Sequence, residues 1–207
     1  MQSFIANLEK RRSIYALNDK LPVTKKEVAD IIQHAVRQAP SCFNSQSSRI
    51  VILFGEEHDS VWKTVIEGMK RVGVSGDALK ASVEKVNGCF ASGAGTVLFF
   101  EDQQCVRDLQ KQFPSYAANF PVFSEHGSAI AQYAVWSTLA QGKIGASLQH
   151  YNELIQEDLK KQHDLPADWK LIAQMPFGGI VAPAGERTFV PDEGRFYCKG
   201  FVNKLCA

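Results

Sequence analysis

Three polar clusters in this sequence combine residue types that bind and orient a charged, planar ligand. The first is Arg11-Arg12-Ser13. Arginine forks take phosphate oxygens bidentately and a serine hydroxyl adds a donor, so the triplet suits a phosphate. Two cations also sit well at the negative pole of a helix C-terminus, and the pattern alone leaves that reading open. The second cluster is the polar stretch 41–48, bounded by Pro40 and Arg49. Its Asn44 and Gln46 each carry a donor and an acceptor, the mixture needed by a heterocycle with alternating carbonyls and ring nitrogens. A solvated loop with helix-stop chemistry has the same composition. The third is Gly145-Ala146-Ser147-Leu148-Gln149-His150-Tyr151-Asn152, followed later by MPFGG at 175–179. Small residues let a backbone approach a flat ligand closely, and Leu148 is placed to cover a ring face. His150 equally suits a side chain hydrogen-bonded to backbone near a helix start.

Other chemistries find little support. Gly93 and Gly95 lack the third glycine of a dinucleotide fingerprint, and they precede a strand where that turn follows one. There is no phosphate-loop motif and no Gly-x-Ser-x-Gly elbow. The five histidines never fall at metal-ligand spacing. The five cysteines are scattered, odd in number and form no C-x-x-C pair, which disfavours both a disulfide framework and structural zinc. With 23 basic and 22 acidic residues in 207, the chain lacks the cationic excess of a general nucleic-acid binder. No apolar run approaches the ~20 residues that span a bilayer. The first residues lack the basic-then-apolar order of a secretory signal, so the cytosol is the expected compartment.

The elements that must carry these clusters alternate between helix and strand. A helix is expected over residues 3 to about 11, capped by Ser3. Thr24-Lys25-Lys26-Glu27 has capping-box spacing, and Val28, Ile31, Ile32, Ala35, Val36 and Ala39 follow at helical period until Pro40. RIVILF at 49–54 and TVLFF at 96–100 read as buried strands. Between them lie a helix capped by Asp59 and a weaker one over about 78–90. A short helix runs from 103 to 113, and Ser124 opens the most apolar one. IGASLQH reads as strand or extended, Asn152 caps a further helix, and LIAQMPFGG is the last strand. The tail from Thr188 is strand or arm. Its apolar residues, among them Phe196, Tyr197, Phe201, Val202 and Leu205, suit packing on a neighbouring subunit or folding back on their own. One mixed domain over residues 1–207 is the simplest organisation.

RRSIYAL at 11–17, AP-S-x-x-N-S-Q at 39–46, IGASLQHYN at 144–152 and the MPFGG segment, in that order, resemble the nitroreductase family of flavin enzymes. The strings SCFNSQSSR and GTVLFFED bring the resemblance nearest to its Frm2-like subgroup. The resemblance implies an α+β fold, a central mixed or antiparallel sheet flanked by helices in three layers, in a domain-sharing FMN-binding homodimer. It implies that Arg11, Arg12 and Ser13 hold the FMN phosphate and ribityl chain, with Arg187 as a second phosphate contact. Asn44 and Gln46 would reach the flavin from the same or the partner subunit. Leu148, Gln149 and His150 would lie along its ring, and Lys85 and Asn87 would serve its polar edge. NADH or NADPH would reduce the flavin, and a small nitroaromatic or quinone-type acceptor would reoxidise it. The chain departs from the family pattern twice. Tyr15 stands where many members have a basic residue, and Ser47-Ser48 stand where many have Pro-Trp. The uncharged Tyr15 motivates an alternative, a flavin-binding regulatory or stress-response protein with little turnover. A flavin-free hydrolase or binding domain also fits the composition.

Overall fold

The computed structural model describes residues 2–200. The elements run α1 (Gln2–Lys10), β1 (Leu17–Asn18), α2 (Lys25–Gln38), β2 (Ser48–Phe54), α3 (Glu56–Arg71), α4 (Gly76–Val86), β3 (Gly95–Asp102), α5 (Gln103–Gln112), α6 (Phe120–Gln141), β4 (Ile144–Ala146), α7 (Asn152–Gln162) and β5 (Trp169–Ile180). The strands form one sheet in the order β1-β5-β3-β2, with β4 also paired to β5. Every ladder is antiparallel, and a single parallel bridge joins Ser13 to Ala146.

Both faces of the sheet are covered, so β3 is apolar without alternation. Val97 and Phe99 face a core built by Val28, Ile32 and Ala35 of α2 and Val135 and Leu139 of α6. Leu98 and Phe100 face the opposite core, with Val61, Trp62 and Val65 of α3 and Ile155 and Leu159 of α7. The result is the expected three-layer α+β arrangement. Among the described residues no helix is long and apolar enough to cross a membrane.

The capping box of α2 is complete: Glu27 N–H donates to Thr24 Oγ1 at 3.2 Å, and Thr24 N–H donates to Glu27 Oε2 at 2.8 Å. Other expected caps are displaced. Ser3 lies inside α1. The turn into α3 is made by Gly55 at φ +58, so Asp59 falls within the first turn beside Glu56 and Glu57, where acids suit the helix dipole. α6 starts at Phe120 with Pro121 in its first turn, and Ser124 is turned inward instead of capping. Asn152 opens α7, but its amide donates to Ile172 O at 2.8 Å across to β5. The expected helix over 78–90 divides into α4 and a π-turn, Asn87–Ala91. The tail holds a single 3-10 turn, Asp192–Gly194, among its described residues, and Phe189, Phe196 and Tyr197 are exposed. Phe201, Val202, Leu205 and Cys206 lie outside the described residues.

The π-turn is tied to the sheet by His58, which is 2% exposed. Trp62 Nε1–H donates to Thr96 Oγ1 at 3.0 Å, so the threonine hydroxyl is free to donate to His58 Nδ1 at 2.7 Å. His58 Nε2–H then donates to Ala91 O at 3.2 Å, which assigns a neutral imidazole. Burial pushes the His58 pKa below its ordinary value, against the smaller opposing effects of the Ala91 carbonyl and Asp59. The native state therefore binds fewer protons than the unfolded chain around and below pH ~6.5. Stability from this site is present above that pH and is lost as pH falls through the depressed pKa. The thermal midpoint should drop on acidification from pH 7.5 to 5, and His58→Gln should flatten that part of the profile. Parallel profiles for the two proteins would refute the assignment.

Candidate active site

Arg11, Arg12 and Ser13 leave α1 along β4. Ile14 N–H donates to Ala146 O at 2.9 Å, beside the Ser13–Ala146 bridge. The chain returns past the same place after β5. Val181 N–H donates to Ala16 O at 2.9 Å, Arg12 donates to Gly185 O, and Arg187 Nη2 donates to Arg11 O at 2.9 Å. The two passes wall a cavity of about 450 Å³, with Arg11, Arg12, Ser13 and Tyr15 on one side and residues 183–187 on the other.

The arginines are not capping α1. Arg11 lies over the Trp136 ring, 4.4 Å from its centroid, and Arg12 reaches Gly185. Arg11, Arg12 and Arg187 have no ion-pair partner among the described residues, although Glu186 stands on the rim. Burial lowers the Arg11 pKa most, the Arg187 and Arg12 charges lower it further, and Tyr133 opposes them. A guanidinium stays charged even so. Cations crowded into one cavity with no carboxylate paired to them are relieved by an anion, and phosphate geometry matches their forks.

Beyond β4 the chain continues as a strap pinned to β5. Gln149 and Gln174 exchange backbone bonds at 2.7 and 2.9 Å. The Gln174 side chain, 0% exposed, accepts from Tyr151 N–H at 2.8 Å and donates to Asn152 Oδ1 at 2.6 Å. Gln149 Nε2 donates to Ser147 Oγ at 3.0 Å. The His150 N–H, between these locked neighbours, has no partner among the described residues, and its side chain is exposed. Leu148 is half-buried against the α2/α6 core, so a large part of it covers protein and not open space.

Tyr15, 45% exposed, joins the arginine cavity to this strap through Phe90. The Phe90 ring lies 6.4 Å from Tyr15 and 6.3 Å from Tyr151, and Lys85 Nζ is 5.9 Å from its centroid. Burial, then Cys89 and Tyr15, pushes the Tyr151 hydroxyl pKa up. Lys85 and Asn87 are exposed beside this hub and do not line the arginine cavity.

Asn44 and Gln46 stand elsewhere. They line a second cavity of about 200 Å³ with Arg37, Ser41 and Ser48, which shares no residue with the first. Phe43, Asn44 and Gln46 hold φ of 54°, 50° and 47°, left-handed backbone that non-glycine residues seldom adopt. One chain thus brings together Arg11, Arg12, Ser13, Tyr15 and Arg187 around one cavity, carries Gln149 and His150 on the strap that follows β4, and separates Asn44 and Gln46. The glycines serve the fold and not a ligand. A Cβ on Gly145 would meet Leu17, Ile180 and Ile14 side chains at 2.8–3.0 Å, and one on Gly178 or Gly179 would collide with Asn18. Trp136, Gly185 and Gln174 were not anticipated as site residues. Only Gln174 carried a signal, a lone amide within an apolar strand.

A helix-flanked antiparallel sheet with an arginine-lined cavity at its edge places the chain in the α+β class. The chain belongs to the nitroreductase family, whose profile matches residues 8–179. It is 32% identical over 190 residues to the nitroreductase Frm2 of Saccharomyces cerevisiae, covering 91% of this chain and 93% of that one. The structure is similar to nitroreductase CinD from Lactococcus lactis in complex with nicotinic acid, at TM-score 0.87 and 45% identity over 95% of this chain and 100% of CinD. CinD in complex with 4-nitrophenol matches with TM-score 0.85, 46% identity and the same coverage. A nitroreductase with bound FMN from Desulfitobacterium hafniense shares the fold, at TM-score 0.69 and 15% identity over 97% of this chain and 100% of that one.

Pyrophosphate should raise the thermal midpoint of the flavin-free protein more than sodium chloride at equal ionic strength, because a bound anion stabilises the native state alone. Arg12→Ala should lose most of that increment. An identical increment in the variant would move the anion site away from this cavity.

Proposed function

We propose that the protein is an FMN-dependent oxidoreductase that takes electrons from NADH or NADPH and passes them to nitroaromatic or quinone-type acceptors. The observation that carries this reading is the cluster of three guanidiniums without a carboxylate partner lining one cavity, in a chain whose strap after β4 leaves the His150 N–H without a partner among the described residues. That donor set fits FMN, which asks for a phosphate cradle at one end and backbone donors along its ring. Arg11, Arg12, Ser13 and Arg187 hold the phosphate and ribityl chain. Gln149 and His150 of the strap meet the ring edge, Leu148 borders it, and Tyr15 offers an uncharged hydroxyl donor. Lys85 and Asn87, at the neighbouring π-turn, serve its polar rim. When bound, FMN would supply two-electron redox chemistry between a nicotinamide and the acceptor. The chain's part is to bind, orient and set the charge around the group, and no side chain need act as acid or base.

We further propose a homodimer, each copy one domain of residues 1–207. The split between the two cavities supports it. Asn44 and Gln46 do not reach the arginine cavity of their own chain, and a second copy can bring its loop 41–48 to the first copy's strap. CinD, 45–46% identical, forms complexes with a nitroaromatic and with a pyridine carboxylate, which agrees with the acceptor and nicotinamide classes. We assign the cytosol as the compartment, in keeping with Cys42, Cys89, Cys105 and Cys198 being free thiols.

Freshly purified protein should be yellow, and anaerobic NADH or NADPH should bleach it. Because one pocket serves reductant and acceptor in turn, double-reciprocal plots should be parallel; intersecting lines would refute the shared pocket. Arg12→Ala should raise the FMN dissociation constant roughly tenfold to a hundredfold, since a charge-assisted hydrogen bond contributes about 1.5–3 kcal/mol. A colourless wild-type protein that takes up no added FMN would overturn the reading.

A further inference from the structure

A carboxylate with no exposed surface sits where β3 ends. Glu101 is 0% exposed and lies opposite Ser48 in the β2–β3 register. Its Oε2 accepts from Ser47 Oγ at 2.6 Å and from Ser124 Oγ at 2.6 Å, and its Oε1 accepts from Ser48 Oγ. No cation is within ion-pair distance of it among the described residues. The nearby guanidinium, Arg49, pairs with Asp102 at 2.9 Å. A buried carboxylate is tolerated only when its oxygens are hydrogen-bonded, and here three hydroxyls from two segments converge on one group.

Two of those donors, Ser47 and Ser48, close the loop that carries Asn44 and Gln46. The loop is gripped again alongside. Arg49 Nη1 donates to Gln46 O at 2.7 Å, Asp102 N–H donates to Ser47 O at 3.0 Å, and Gln46 N–H donates to Ser41 Oγ at 2.9 Å. Residues released from such constraints leave left-handed backbone for extended or right-handed conformations, so φ near +50 at Phe43, Asn44 and Gln46 persists only while the loop is held.

We propose that Glu101 is a positioning residue for the second cavity: through Ser47 and Ser48 it holds the loop in the conformation that presents Asn44 and Gln46 to the flavin ring. The link to the ring rests on the proposed function; the grip on the loop does not.

Hydrogen exchange on the flavin-free protein tests the grip. In Glu101→Gln, peptides covering 41–48 should exchange at least tenfold faster than in wild type, while peptides of β4 and β5 are unchanged. Ser47→Ala with Ser48→Ala should do the same, and Ser124→Ala, which spares both loop donors, should leave the loop close to wild type. An unchanged loop, or equal acceleration throughout the molecule, overturns the proposal. The link is tested by two titrations of Glu101→Gln. The FMN dissociation constant should rise at least tenfold, while the thermal shift produced by pyrophosphate stays as in wild type. An unaltered FMN affinity in a variant whose loop has opened overturns the positioning role. If wild type itself binds no FMN, the proposed function and the ring link fail together, and the exchange experiment still decides whether Glu101 holds the loop.

Discussion

A two-residue parallel contact, Ser13 and Ile14 against Ala146, sets the position of everything around the site. It lays the chain leaving α1 along β4, so the arginines arrive beside the strap that β4 becomes. β4 is held in turn by β5, whose Gly178 and Gly179 admit β1 at distances no side chain would allow. Gly145 does the same for Leu17 and Ile180. Close backbone approach is thus spent on assembling the sheet edge, and the arginine side chains are what this edge displays around its cavity.

The molecule holds two opposite electrostatic solutions. In the cavity beside α1, guanidiniums face one another with only the unpaired Glu186 on the rim. At the end of β3 a carboxylate is buried without a cation. The second is internally complete, because hydroxyl dipoles from Ser47, Ser48 and Ser124 stand in for a positive charge. The first is incomplete within the chain, and its self-repulsion is the physical reason to expect a resident anion. The Ser47-Ser48 pair, which departs from the family pattern, is accounted for by the carboxylate it serves.

Much of the architecture was legible because it rests on local rules. The Thr24–Glu27 box, the helical period of Val28, Ile32 and Ala35, and the continuous apolar runs of β2 and β3 each name their element directly. The failures have one cause. Ser3, Asp59, Ser124 and Asn152 are good capping residues, but the turn at Gly55, the proline at 121 and tertiary partners for Ser124 and Asn152 decided otherwise. Of the candidate site, the Arg11-Arg12-Ser13 cluster is singled out by its chemistry and Arg187 by resemblance, and the structure sets them around one cavity. Whether Asn44 and Gln46 join that cavity within one chain is left open by the sequence, because it depends on tertiary placement that no local pattern encodes. Trp136 under Arg11 was not legible either, since an indole in an apolar helix reads as core whether or not a cation rests on it.

The arginine cavity is walled by residues near position 12 on one side and near position 186 on the other, so its halves come from segments more than 170 residues apart in the chain. A nascent chain that has emerged only as far as β5 already owns every strand of the sheet, yet presents half a cradle. The cavity is therefore closed only once the segment through Arg187 has folded back against the chain that leaves α1.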